Sequence, residues 1–284
     1  MIDLHTHTTE SDGTCSPAEL VDHAVSMGLE ALAITDHDTL SGYDMAVPLA
    51  EANGLDLICG IELSTRWNGH SVHLLGYFLD TKPPGEFRSW LLAMQESRRE
   101  RDLRMIARLR SLDIDITLEE VQAKGGNLPS RTHFARVMLA KRCVLTLQQA
   151  FDEYLNVGSG SAKAHFQRFE PSLADGISRI SGAGGLPSIA HPVRITRDAA
   201  VLKDLIAEAR AQGLRAIEVY HSDHGIEESN LYMSLAREHG LGITGGSDYH
   251  GETKSPIRLG TGLECNLEIP VCVLKALRGL KNPL

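Results

Sequence analysis

Short apolar runs alternate with amphipathic helical stretches along most of this chain, and that alternation narrows its fold more than any other feature. The run at 2–6 precedes a helical stretch opening at Ser16-Pro17. Serine can cap a helix there, and proline suits the first helical position because its missing N–H costs nothing. Leu20, Val21, Ala24 and Val25 give that stretch one apolar face, and Gly28 stops it. Residues 31–35 read as a short buried strand, 44–53 as a helix, and 57–63 and 71–78 as strands. The β-α-β-α order predicts a parallel sheet with helices outside. After the glycine-rich SGAGG at 181–185 the alternation resumes. Strands are expected at 186–190, 216–220 and 242–246, and helices at 198–212 and 227–239, stopped by Gly213 and Gly240. A last strand at 258–265 and a helix at 271–280 finish the chain. Seven or eight β/α units are enough to close a barrel, so the expected class is α/β.

One segment breaks the pattern. From Pro83-Pro84 onward the residues are almost all helix-forming, with breaks at Gly125-Gly126 and Leu128-Pro129-Ser130. Residues 88–142 hold 12 Lys+Arg against 7 Asp+Glu, so this stretch is basic within a chain of net charge −9. The expected division is a first barrel part at 1–86, a helical insertion over 87–165 that serves as a substrate lid, and a second barrel part at 166–284. The run RRERDLR also reads as a solvated helix face with i,i+4 pairs.

Composition removes several classes. With 42% apolar and 23% charged residues over 284 positions, the chain is neither disordered, collagenous nor disulfide-stapled. No apolar run approaches the ~18–20 residues that span a bilayer. The opening MIDLHTHTTESDG has neither a basic nor an apolar leader region, so no signal peptide and no membrane partner are expected. Five cysteines without CxxC spacing suggest reduced thiols in a cytoplasmic setting. The acidic balance argues against duplex DNA as a partner.

The thirteen histidines carry the chemistry by where they sit. His5-Thr6-His7 ends the first strand, and residues i and i+2 of a strand share a face, so both rings can reach one metal. Asp248-Tyr249-His250 repeats the arrangement after ITGGS. Between them come Asp12 in SDG, His37 in TDHD, Glu62 in GIE, His73 in HSVH and His191 in AHP, all at predicted strand ends. In an α/β barrel the C-terminal strand ends form the active face. Singly, HxH or Asp-His is as readily a turn or a cap as a ligand. Nine such groups at these junctions point to a metal site, because burying that polarity without a partner is costly. Mixed His/carboxylate ligation without cysteine fits Mn, Fe or Zn without choosing among them, and nine ligands are enough for two or three divalent ions. His23, His70, His165 and His239 have no such setting and read as surface or packing residues.

HTH followed by SDGTCSP, ITDHDTLSG, GIE, AHP and GSDYH resembles the PHP (polymerase and histidinol phosphatase) family, in the family's own order and over nearly the whole chain outside the helical segment. The resemblance implies a distorted (β/α)7 barrel, a trinuclear centre and phosphoester hydrolysis. It implies that His5, His7, Glu62 and Asp248 hold one metal, and that Glu62 bridges to a second completed by His73 and His191. Asp12, His37 and His250 would hold a third, with Asp12 standing where many members have histidine. The implied nucleophile is a hydroxide between metals held by Glu62 and its partners. Asp36 would orient His37 or a water.

SRTHFAR at 130–136 and Lys163 further resemble the PHP phosphatases of 3′,5′-nucleoside bisphosphates, including the group that trims short RNA from its 5′ end. That implies Ser130, Arg131, His133 and Lys163 as contacts to a second phosphate. Arg131 could fork onto it, and a helix starting here would itself favour an anion. Arg131 and Arg136 also read as surface helix residues. Arg194 and His224 follow strand ends and can face the same pocket, His224 as a candidate acid, and His221 can support the metals from behind. The expected partner is a small phosphorylated nucleotide or a short RNA end. Three other readings compete: a histidinol-phosphate phosphatase, an amidohydrolase, and a non-catalytic metal or nucleotide sensor.

Overall fold

The structure is a computed structural model that describes residues 1–79, 81–126, 128–156, 163, 164, 166 and 169–280. His165 lies outside the described residues. Strands β1 (Ile2–Thr6), β2 (Ala31–Ile34), β3 (Asp56–Trp67), β4 (His70–Phe78), β5 (Leu186–Ile189), β6 (Ala216–His221) and β7 (Gly242–Gly246) form one sheet in chain order. The edges nearly close it into a barrel. Past β7, Asp248 N donates to His5 O at 2.8 Å and His7 N donates to Tyr249 O at 2.9 Å. The buried Asp3 carboxylate fastens the same seam, accepting from Ser247 N at 2.9 Å and Gly260 N at 2.8 Å.

The sheet is not fully parallel, contrary to the sequence expectation. β4 pairs antiparallel with both β3 and β5, while the other pairs are parallel. The cause is local: Asn68 and Gly69 take φ of 46° and 85°, a two-residue turn whose twist matches a hairpin. Because β4 runs backwards, its first residues lie beside the end of β3. His73 therefore reaches the active end from the start of a strand, opposite Ser64.

Helix α1 (Pro17–Ser26) starts where expected, with Ser16 and Glu19 forming a capping box. Together with α2 (Ser41–Asn53) it packs Leu20, Val21, Ala46 and Ala50 on Leu32 and Ile34. Helix α3 (Gly85–Arg110), roughly 39 Å long at 1.5 Å per residue, connects two cores. Its first turns put Phe87 and Leu91 into the barrel's outer core, while Met105 and Leu109 join a separate core. That separate core takes Val121 from α4 (Leu118–Gly125), Phe134 and Met138 from α5 (Arg131–Ala140), and Ala150 from α6 (Leu147–Ala150). A single π-helical turn, Phe151–Leu155, follows α6. Helices α7 (Leu173–Gly182), α8 (Ala199–Ala211) and α9 (Ile226–His239) cover the sheet with Ile177, Leu205 and Leu235. Helix α10 (Val271–Gly279) packs Val273, Leu274 and Leu277 with Leu4, Ala33 and Tyr77.

The strand expected at 258–265 does not join the barrel. Gly260 and Gly262 both have φ of 72°, which breaks the run into a small hairpin of β8 (Ile257–Arg258) and β9 (Gly262–Leu263).

Candidate metal centre and phosphate cleft

The strand-end residues converge on Glu62. Its Oε2 lies 3.3 Å from His5 Nε2, 3.2 Å from His7 Nε2 and 3.2 Å from His37 Nδ1. Its Oε1 lies 2.8 Å from His73 Nδ1 and 2.9 Å from His191 Nε2. Asp248 Oδ1 faces His7 Nε2 at 3.3 Å, and His250 Nε2 faces Asp12 Oδ1 at 3.1 Å. Ligating atoms fall into overlapping sets: His5, His7, Glu62 and Asp248; His7, Asp12, His37 and His250; and His37, Glu62 and His73. All nine residues singled out in the sequence thus come together.

The donor set fits divalent cations. His5 Nε2, His7 Nε2, His37 Nδ1 and Glu62 Oε2 are buried without a hydrogen-bond partner among the described residues, and all point into one space. Lone pairs crowded in this way are costly unless a cation takes them. Burial pushes His37 and His191 down to about 3 against the pull of Glu62, leaving the neutral imidazoles that ligate metals. Burial raises the Glu62 and Asp248 carboxyls, but the groups that face them, His37 first for Glu62 and the Lys254 ammonium for Asp248, hold both well below the ordinary range. Burial lowers His7 too, yet Asp248 and Glu62 lift it to about 9, so bound protons compete with a cation there.

Several supports were not legible in the sequence. Glu218, fully buried on β6, accepts from His5 Nδ1–H at 2.9 Å and from His191 N at 2.7 Å. That contact turns His5 Nε2 toward the centre. Asp38 accepts from Ser64 N at 2.9 Å and Arg98 Nη1 at 3.2 Å, and Arg98 Nη2 donates to Pro129 O at 3.3 Å. Asp38, His191 and Asp248 all sit at positive φ, where side chains other than glycine are uncommon.

Other expected roles change. Asp36 does not orient His37. It accepts from Thr8 N at 2.7 Å and Ser11 Oγ at 2.6 Å, and so fixes the loop that carries Asp12. His221 Nε2 lies 3.5 Å from Asp248 Oδ2. His224 packs on His221 and Tyr232 and gives Nδ1–H to Val219 O at 2.9 Å, so it does not reach the cleft as an acid. His133 lines neither cleft: its buried ring caps α5, with Nδ1 accepting from Ser130 N at 2.9 Å, and its Nε2 stays buried with no hydrogen-bond partner among the described residues. Lys163 lies over the Tyr154 ring at 5.1 Å and does not line the cleft. Arg136 is not a free surface residue, because it donates to Thr253 Oγ1 and O, both at 3.3 Å. His23, His70 and His239 stay away from the cleft.

A cleft of about 300 Å³ opens over the centre, lined by Glu62, His73, His191 and Asp248 and by Ser130, Arg194 and Lys254. A neighbouring cleft of about 270 Å³ shares Asp12, His37, His73, Ser130 and Thr132 with it and adds Arg66, Arg98, Arg101 and Arg131. A larger cleft of about 460 Å³ between α3 and α4 contains none of the nine. Arg131 also donates to Leu155 O at 3.3 Å, and Arg194 pairs with Asp223 and Asp248.

The PHP domain profile matches residues 3–171. The chain is 34% identical over 251 residues to the 3′,5′-nucleoside bisphosphate phosphatase of Chromobacterium violaceum, covering 88% of this chain and 87% of that one. It is 36% identical over 254 residues to the 5′-3′ exoribonuclease Rnm of Escherichia coli, covering 87% and 84%. A structure from Bifidobacterium adolescentis described as a metal-dependent phosphoesterase superposes with TM-score 0.80 at 32% identity, covering 99% and 96%. A Chromobacterium violaceum structure described as an amidohydrolase, with bound sulfate and no metal, gives 0.78 at 32%, covering 88% of each chain. The matching profile, the barrel and the converging His/carboxylate cluster together make this chain a member of the PHP domain family and a phosphoesterase.

Proposed function

We propose that the protein hydrolyses the 3′-phosphate of 3′,5′-nucleoside bisphosphates, leaving 5′-mononucleotides, and trims short RNA from its 5′ end by the same chemistry. The observation that carries this reading is the pair of adjoining clefts. One lies over the nine-residue cluster, and the other, sharing five of its walls, is lined by Ser130 and four arginines. A molecule with two phosphates can place one in each. The relatives named as a bisphosphate phosphatase and an exoribonuclease support the substrate class. We assign the metal ligands as His5, His7, Glu62 and Asp248 for one ion, Glu62, His73 and His191 for a second, and Asp12, His37 and His250 for a third. Manganese is the proposed ion, and the five free thiols suit a reducing cytoplasm.

When bound, divalent ions supply Lewis-acid activation of water and neutralise charge on phosphoryl oxygens. The chain supplies the rest. Glu62 anchors the cluster, Glu218 holds the proton on His5 Nδ1, and Ser130 and Arg131 grip the phosphate that does not react. The helices between 87 and 165 act as the lid that presents this grip. The acidic balance outside that segment disfavours duplex DNA.

The test is phosphate release from 3′-phosphoadenosine 5′-phosphate with manganese, beside histidinol phosphate, with products resolved. The reading expects 5′-AMP. Product 3′-AMP would reverse the substrate's orientation, and release from histidinol phosphate alone would replace the substrate. Arg131→Ala should lower kcat/KM on the bisphosphate by about 10–100-fold, the value of one charged hydrogen-bond pair, with p-nitrophenyl phosphate changed far less. Equal losses on both would reject the grip.

A further inference from the structure

The two oxygens of Asp248 face different surroundings. Oδ1 points at His5 Nε2, His7 Nε2 and His250 Nδ1, at 3.5, 3.3 and 3.4 Å. Oδ2 points into the cleft, where Arg194 Nη1 lies at 2.8 Å and Lys254 Nζ at 2.5 Å. One carboxylate thus carries two cations on its outer oxygen while its inner oxygen is turned to a cation-binding centre. Arg194 shares its charge with a second carboxylate, Asp223. Asp248 is the only carboxylate paired with Lys254 among the described residues. A cation on the Oδ1 side draws on the same single negative charge, so the ammonium is left with a weakened partner at the mouth of the cleft.

The turn that carries Lys254 is held from both sides. From α5, Arg136 clamps Thr253 through Oγ1 and O, both at 3.3 Å. From the loop after β1, Thr14 Oγ1 accepts from Glu252 N at 2.9 Å. Gly251 sits at φ 64°, and a Cβ there would stand 2.1 Å from Thr14 Oγ1, so the chain passes closely under the loop. Lys254 itself lines the cleft with His37, His191 and Arg194. A flexible stem ending in a compact charge has only to turn to reach an anion there.

We propose that Lys254 contacts the substrate, its ammonium exchanging Asp248 Oδ2 for an oxygen of the reacting phosphoryl group, and that Arg136 is the positioning residue that seats it. This rests on the phosphoryl group occupying the cleft over the cluster, as read above, and not on which nucleotide carries it. The test uses the full chain loaded with manganese, inorganic phosphate as the probe in calorimetry, and metal content measured alongside. Lys254→Met should weaken phosphate binding about tenfold with metal content unchanged, and lower kcat/KM by similar factors on p-nitrophenyl phosphate and on 3′-phosphoadenosine 5′-phosphate. Lys254→Arg should recover part of the phosphate affinity. Arg136→Met should raise KM more than it lowers kcat and give a smaller loss of phosphate binding. Phosphate affinity within twofold of the unsubstituted protein would overturn the proposal. So would loss of metal with unchanged phosphate affinity per loaded site, which would make Lys254 a charge screen for Asp248. If the unsubstituted protein ignores the bisphosphate yet hydrolyses p-nitrophenyl phosphate, the nucleotide reading fails and the phosphate arm still decides Lys254.

Discussion

His5 and His7 show how far single residues can be read from sequence. Their i,i+2 spacing on a strand fixes that both rings share a face, and the structure puts both Nε2 atoms within 3.3 Å of Glu62 Oε2. His5→Ala or Asp248→Ala should therefore lose bound metal and phosphate release together, and a variant keeping both would overturn the assignment. Glu218 shows the limit. In AIEVY a glutamate reads as the polar position of a strand, and nothing local says that it meets His5, which lies 213 positions away in the chain. Glu218→Gln keeps the shape but loses the charge that holds the His5 proton. It should cost about 10–100-fold in metal affinity, checked by competition with a chromophoric chelator. Affinity equal to that of the unsubstituted protein would show that His5 needs no such orientation.

At the scale of elements, most boundaries follow from caps and periodicity. Ser16-Pro17 opens α1, the break at Gly125-Gly126 ends α4, and α5 starts after Ser130. The orientation of β4 was also written in the sequence, because Asn68-Gly69 between two apolar runs is the turn a tight hairpin requires. Reading β-α alternation through it gives a parallel sheet and hides the route by which His73 reaches Glu62. The contact between α3 and the barrel was not legible, since Arg98 lies in a run that reads as a solvated face. It is buried instead, joined to Asp38 at 3.2 Å and to Pro129 O at 3.3 Å, and so ties the turn beside His37 to the loop before Ser130. Arg98→Met leaves the buried Asp38 without this cation. It should cost about 3–5 kcal/mol, read as a lower urea midpoint in equilibrium unfolding. A change under about 1 kcal/mol would mean that the pair behaves like an exposed one.

For the whole molecule, the barrel brings the nine cluster residues together, and α3 to α6 pack a separate helical core beside it. The charge break in the sequence, with 12 basic against 7 acidic residues over 88–142, falls on the stretch that supplies α4 and α5. Stability should respond to alkali through the barrel's own core. Burial pushes the Cys59 thiol from 9.0 up to about 12 and the Tyr232 hydroxyl from 10.0 up to about 12. A raised acid keeps its proton in the folded state longer than in the unfolded state. Its stabilisation is thus complete below the unfolded value and is lost as pH rises from about 9 toward 12. Urea midpoints should fall over that window, and Cys59→Ala should make the fall shallower, by at most about 1.4 kcal/mol per pH unit for one group. Identical slopes would exclude Cys59 as a source. The measurement that bears most directly on the account is metal stoichiometry joined to turnover. Purified protein stripped with chelator and titrated with manganese should take up two to three ions per chain, with phosphate release absent at the start and restored as they bind. Phosphate release at full rate from the stripped chain, or uptake of less than one ion, would contradict a metal centre built on Glu62.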